Sequence, residues 1–188
     1  MAKVKWLNAI IFGLICISST SVFALDVKVD AMAGYFSIDA KTNQASGSVS
    51  NIGSYLVSVS LPFAHQFDLN VGYSLIMSKG IGGDLAYGID AGVNYFPFTP
   101  STSIKAIDDK SFLQVSPLIK PFFGISFHQR QYQSVQTNYA GFGLSVGMER
   151  KINAAFDLKL MTRYVSLIGP QSAQASELIF MGGISYGF

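Results

Sequence analysis

The sequence predicts an all-β fold, an eight-stranded antiparallel up-and-down transmembrane β-barrel. Three observations point there. Large apolar side chains alternate with small or polar ones over stretches of about ten residues, which is the period of a strand. Charged residues make up 13% of the chain and hydrophobic ones 49%, yet after the first two dozen residues no apolar run reaches the roughly 20 residues of a spanning helix. The non-apolar face is largely Gly, Ser, Asn and Ala with scattered charges. Such a face fills a narrow lumen, whereas a soluble exterior would be dense in Lys, Glu and Thr.

Residues 1–24 read as a secretory signal peptide. Lys3 and Lys5 make a basic start, "WLNAIIFGLICI" is a short apolar run, and "SSTSVFA" ends with small residues at Val22 and Ala24. Cys16 lies in that run behind Ile15, where a lipoprotein signal needs a small residue. Residues 25–188 form a single expected barrel domain, free of cysteine and so of disulfides. Without Lys3 and Lys5 the 13 basic residues fall to 11, equal to the 11 acids. A neutral chain has no field for nucleic acid.

The strands follow in order. Residues 27–37 set Val27, Val29, Ala31, Ala33 and Tyr35 against Lys28, Asp30, Met32 and Gly34. Residues 53–63 set Tyr55, Val57, Val59, Leu61 and Phe63 against Ser54, Leu56, Ser58 and Ser60. In 67–77 only Ile76 breaks the alternation, and 85–96 repeats it with Tyr87, Ile89, Ala91, Val93 and Tyr95. Residues 117–128 carry Ile119, Phe123, Ile125 and Phe127 on one face, with Pro121 awkwardly inside the strand. Residues 140–149 alternate through Phe142, Leu144, Val146 and Met148, and 155–165 through Phe156, Leu158, Leu160 and Tyr164. The eighth strand, 177–188, presents Phe180, Ile184, Tyr186 and Phe188.

Alternation alone also fits a soluble, lipocalin-like barrel with its apolar face inward. Aromatic residues decide against it. Tyr35, Tyr55, Phe63, Phe67, Tyr73, Tyr87, Tyr95, Tyr139, Phe156, Tyr164, Tyr186 and Phe188 cluster near strand ends of the apolar face. That distribution suits two interfacial girdles. Strands of about ten residues, tilted about 40°, also match a hydrocarbon band of about 25 Å.

The ending "FMGGISYGF", with a terminal Phe and a second aromatic two residues earlier, resembles the C-terminal signal of outer-membrane β-barrels. Strand count and length resemble the small OmpA/OmpX-like barrels over the whole mature chain. The resemblance implies a cell outer-membrane location and recognition of Phe180, Ile184, Tyr186 and Phe188 by the barrel-assembly machinery. It further implies contact with outer-membrane lipid and lipopolysaccharide, and a possible surface ligand. On that topology the connections near 64–66, 97–112 and 150–154 are periplasmic. Those near 38–50, 79–84, 129–138 and 167–176 face outward.

The inward parity carries Lys28, Lys120, Arg130, Lys159 and Arg163 against Asp30, Asp68, Asp90, Glu149, Asp157 and Glu177. Because unpaired buried charge is expensive, these residues predict a paired network closing the lumen, with Arg163–Asp90 as one pair. Phe122, Met161, Ile76 and Ile179 would plug it further. Ser126 and His128 share a face, and Glu149 or Glu177 could orient the imidazole as in a hydrolase triad. The lipid A deacylases, however, place Ser two residues after the His, where this chain has Arg130. A histidine satisfied by lumen charges is the plainer reading, and the chain is not expected to be an enzyme. Asp108–Asp109, "GIGGD" and His65 read as turn residues, so no metal or cofactor is indicated. The expected role is structural or surface-interacting, through polar outer loops. A narrow or gated pore stands second, and a lipid-A-modifying enzyme third.

Overall fold

The computed structural model describes residues 27–41, 46–64, 66–77, 85–98, 103–108, 111–115, 118–132, 137–153 and 155–188. In chain order the strands are β1 (Lys28–Lys41), β2 (Ser46–Ala64), β3 (Phe67–Met77), β4 (Leu85–Tyr95), β5 (Ser103–Asp108), β6 (Ser111–Val115), β7 (Ile119–Tyr132), β8 (Thr137–Lys151), β9 (Phe156–Ile168) and β10 (Gln174–Gly187). Eight of them, all but β5 and β6, pair antiparallel with their neighbours and close into a barrel. The closure is β1 against β10, in register from Lys28–Gly187 to Lys41–Gln174. Closure leaves no unpaired edge, the condition for an extended chain to cross a hydrocarbon layer.

Alternation then sorts every strand into an outside and an inside. The outer face shows Ile125, Phe142 and Leu144, each more than 60% exposed. The inner face buries Asp30, Asp90, His128, Arg130, Lys159, Arg163 and Glu177. A water-soluble barrel would invert this, so the outside is built to meet lipid. Around the end where β1 begins and β10 finishes, the terminal end of the barrel, the outward aromatics form contacting chains, Phe63–Phe67–Tyr95 on one side and Phe156–Tyr186–Phe188 on the other.

The strands run further from that end than alternation suggests. β1 continues to Lys41 and β2 begins at Ser46, so most of the connection expected at 38–50 is ladder. Likewise β7 reaches Tyr132, β8 begins at Thr137, and β9 and β10 extend to Ile168 and from Gln174. Glycine at position 53 hid part of this. β1 pairs Gly34 with Ser54 and Tyr35 with Ile52, leaving Gly53 as a bulge at φ 155°. A bulge reverses parity beyond it and breaks a strict two-residue pattern.

Two further expectations are corrected. Tyr139 is not in a girdle: it lies opposite Arg130 in the ladder and points inward, its ring 5.1 Å from that of Tyr132. The connection expected over 97–112 contains strands of its own, the two-stranded β5–β6 sheet. His65, "GIGGD" and Asp109 lie outside the described residues.

Candidate functional site

The lumen is stacked in layers, and the layers differ in chemistry. Nearest the termini, Phe96 turns in behind β4 and is buried, its ring 5.6 Å from that of Phe122. Above this pair sits a charged layer. Lys159 Nζ donates to Asp30 Oδ2 at 2.8 Å and stands 3.2 Å from Glu149 Oε1. Lys28 Nζ reaches Glu149 at 3.0 Å and Asp157 at 3.4 Å. Ser58 and Ser60 donate to the same Asp30 oxygen at 3.2 and 3.1 Å. Lys159 also lies over the Phe122 ring, 5.3 Å from its centre, so the cation faces both carboxylates and a π surface. Here three carboxylates meet two ammonium groups. Lys28 and Asp157 are the members that keep some access to water.

A second charged layer follows, centred on Asp90. Arg163 Nη1 donates to Asp90 Oδ2 at 3.0 Å, and Arg130 Nη1 donates to Asp90 Oδ1. His128 Nδ1 lies 2.8 Å from that oxygen, and Ser74 Oγ 3.5 Å. Arg130 Nε donates to Glu177 Oε2 at 3.3 Å, and Tyr132 OH to Oε1 at 2.8 Å. Two carboxylates therefore face two guanidinium groups, and the layer is electrically closed. Ion pairs this deep persist because breaking one leaves its partner buried and uncompensated.

Beyond it the lumen is apolar. Phe36, Ile38, Ile76, Val165, Leu167 and Ile179 are buried in one cluster, joined by Tyr132 and Tyr139. Between the charged layers lies a cavity of about 30 Å³, bordered by Ser58, Asn70, Asn94, Ser126, Ser145 and Arg163. It has room for about two water molecules. Arg163 keeps Nε and Nη2 buried without a hydrogen-bond partner among the described residues.

Of the eleven charged residues expected in the network, nine are brought into ion pairs. The Arg163–Asp90 pair is among them. Asp68 and Lys120 are half-buried and form no ion pair among the described residues. The four C-terminal residues Phe180, Ile184, Tyr186 and Phe188 all point outward on β10 or at its end.

Ser126 and His128 meet as well. Ser126 Oγ lies 2.7 Å from His128 Nε2, and the third member is Asp90. Neither Glu149 nor Glu177 takes that place: Glu149 is bound to Lys28 and Lys159 in the first charged layer, and Glu177 to Arg130 and Tyr132. A tautomer with Nδ1–H donating to Asp90 and Nε2 accepting from Ser126 satisfies these two neighbours, while Arg130 Nη2, 3.2 Å from Nδ1, finds no acceptor there. The distances are those of a hydrolase triad; the surroundings are not. Ser126 is paired to Gly92 of β4 and Gly143 of β8, so backbone amides beside the hydroxyl are committed to the sheet rather than free to hold an oxyanion. The adjoining cavity is too small for an ester. The three groups act as a hydrogen-bonded strut across the wall.

Sequence reading did not assign Phe96, Tyr132, Ser58 or Ser60 to the lumen site. Phe96 sits just after a strand, where alternation says nothing of direction. The two serines could have been found, since both share the inward parity of Asp30.

No protein-family model and no curated protein sequence matches the chain. Solved structures do. The Neisserial surface protein A, NspA, superposes with a TM-score of 0.57 at 17% identity, covering 86% of this chain and 97% of that one. The N-terminal β-barrel domain of Pseudomonas aeruginosa OprF superposes with a TM-score of 0.51 at 10% identity, covering 86% and 97%. The fold is that of the small bacterial outer-membrane barrels. At these identities the likeness is one of architecture.

Proposed function

We propose that this chain is an outer-membrane barrel, exported by a signal segment at 1–24, that works through its surface and not by passing solute. One observation carries the reading: paired charges span the middle of the lumen, and packed apolar side chains close it on both sides. A barrel sealed this way contributes rigidity to the membrane. What remains for recognition is the end far from the termini, with its connections at 41–46, 77–85, 132–137 and 168–174. Its partners would be lipopolysaccharide or a surface ligand, met through polar side chains. Phe180, Ile184, Tyr186 and Phe188 would serve earlier, as the strand signal read during assembly. The lumen hydroxyl and imidazole have no route to a lipid ester, so the role is non-enzymatic.

Cysteine labelling tests the orientation on which this rests. The mature chain has no thiol of its own, since Cys16 belongs to the signal segment. Gln174→Cys stands at the far end and Ile152→Cys near the termini, both exposed. A membrane-impermeant maleimide is expected to label the first on intact cells and the second only after lysis. The opposite pattern, or labelling of neither, contradicts the proposal.

A narrow gated pore is the second reading. It is favoured by the cavity beside Arg163, whose two unpartnered nitrogens could take a new carboxylate without leaving the lumen.

A further inference from the structure

The outer wall of the barrel is not uniformly filled. Across β1, β10, β9 and β8 one row of outward positions reads Ala33, Gly182, Leu160 and Met148, level with one another in the ladder. The row nearer the far end carries Tyr35, Phe180, Thr162 and Val146. The small residues leave an apolar groove of about 690 Å³, within the range of ligand-sized clefts. Gly182 lies open to it: a Cβ built there meets only Leu160 Cδ2, at 3.1 Å.

A second observation stands at the groove's margin. Arg150 is two residues along β8 from Met148, level with Ile119 and Leu158, and shares their outward parity. Among the described residues it is the only charge on the outward face of the terminal half of the barrel. It is exposed and has no ion-pair partner among the described residues. The last residues of β8 place it one outward row inside the Phe156–Tyr186 pair, near where an apolar wall gives way to headgroups. Long basic side chains at that depth extend their charge toward the interface while the stem lies on apolar surface.

We infer that this groove and Arg150 form a defined site for one phospholipid of the periplasmic leaflet, with an acyl chain in the groove and the phosphate on the guanidinium. The inference rests on the proposed orientation, which puts the termini and Arg150 on the periplasmic side. Two parallel N–H groups of an arginine match the oxygens of a phosphodiester. The apolar groove by itself would suit a second copy of the chain equally well. The unpaired charge at its margin favours an anionic amphiphile, because two copies would bring like charges together.

Native mass spectrometry of the refolded mature barrel, with phosphatidylglycerol added to the detergent, tests this. Folding is read separately, from heat-modifiable gel mobility. The wild-type barrel is expected to retain one phosphatidylglycerol, and Arg150→Glu to lower retention about fivefold. Ala33→Phe, which fills the groove from a lipid-facing position, is expected to lower it by a similar factor. Equal retention in the folded wild type and both variants overturns the site. A dimer lost on Ala33→Phe and untouched by Arg150→Glu overturns it in favour of a second copy, and preferential retention of lipopolysaccharide overturns the leaflet. A chain that gives no heat-modifiable band would instead count against the barrel reading beneath it.

Discussion

Asp90 holds more of the lumen together than any neighbour, since both arginines of its layer and His128 converge on its two oxygens. Asp90→Asn keeps the shape and removes the charge, leaving Arg130 with Glu177 and Arg163 without a carboxylate. The expected cost is about 3–5 kcal/mol, read from urea unfolding of the refolded barrel. Ser126→Ala removes one neutral hydrogen bond and should cost about 1 kcal/mol. If the two variants lose equal stability, the second charged layer is not the keystone described. Adding Arg163→Met to Asp90→Asn should restore part of the loss, because the stranded charge goes with it. At this scale the sequence was partly legible. Parity placed Asp90, Arg130, Arg163 and Glu177 inside, but parity carries no height, and height decides which acid meets which base. That is why Asp90 and not Glu149 or Glu177 orients His128.

Strands are where the sequence spoke most clearly, and where its silence had one cause. β3 ends where alternation ends, at Met77, and β4 one residue short of it, at Tyr95. β2 does not begin where it begins, because the Gly53 bulge resets the phase and the hydroxyl-rich ladder above it looks like loop. A Cβ at Gly53 would come 2.6 Å from Met77 O, on a backbone that L residues rarely adopt. Gly53→Ala is therefore expected to cost about 1–3 kcal/mol. Gly47→Ala, on the same strand with nothing within 4 Å of its Cβ, should change stability by less than about 0.5 kcal/mol. Equal effects would mean the bulge is not a constraint. The last strand makes a different prediction. Phe188 is 75% exposed and touches Tyr186 at 4.8 Å, so the folded barrel has little to lose with it. Phe188→Ala should leave the urea stability of the refolded protein within about 0.5 kcal/mol and lower the yield of heat-modifiable barrel in cells several-fold. Unchanged yield would remove the assembly role from that residue.

For the whole molecule, the outward face, the closure and the number of barrel strands were readable because lipid imposes them on every strand alike. The layering of the lumen was not. The far cluster of Phe36, Ile38, Val165 and Leu167 and the Phe96–Phe122 pair are long-range meetings with no local pattern. Yet that layering is what separates a sealed post from a channel. Single-channel recording of the refolded barrel in a planar bilayer tests it most directly, with heat-modifiable mobility showing that the protein reaching the bilayer is folded. A folded and silent protein is expected, silent also as Arg163→Ala. Discrete openings of the wild type, altered by Arg163→Ala or Lys159→Ala, would contradict it and make the charged layers a gate.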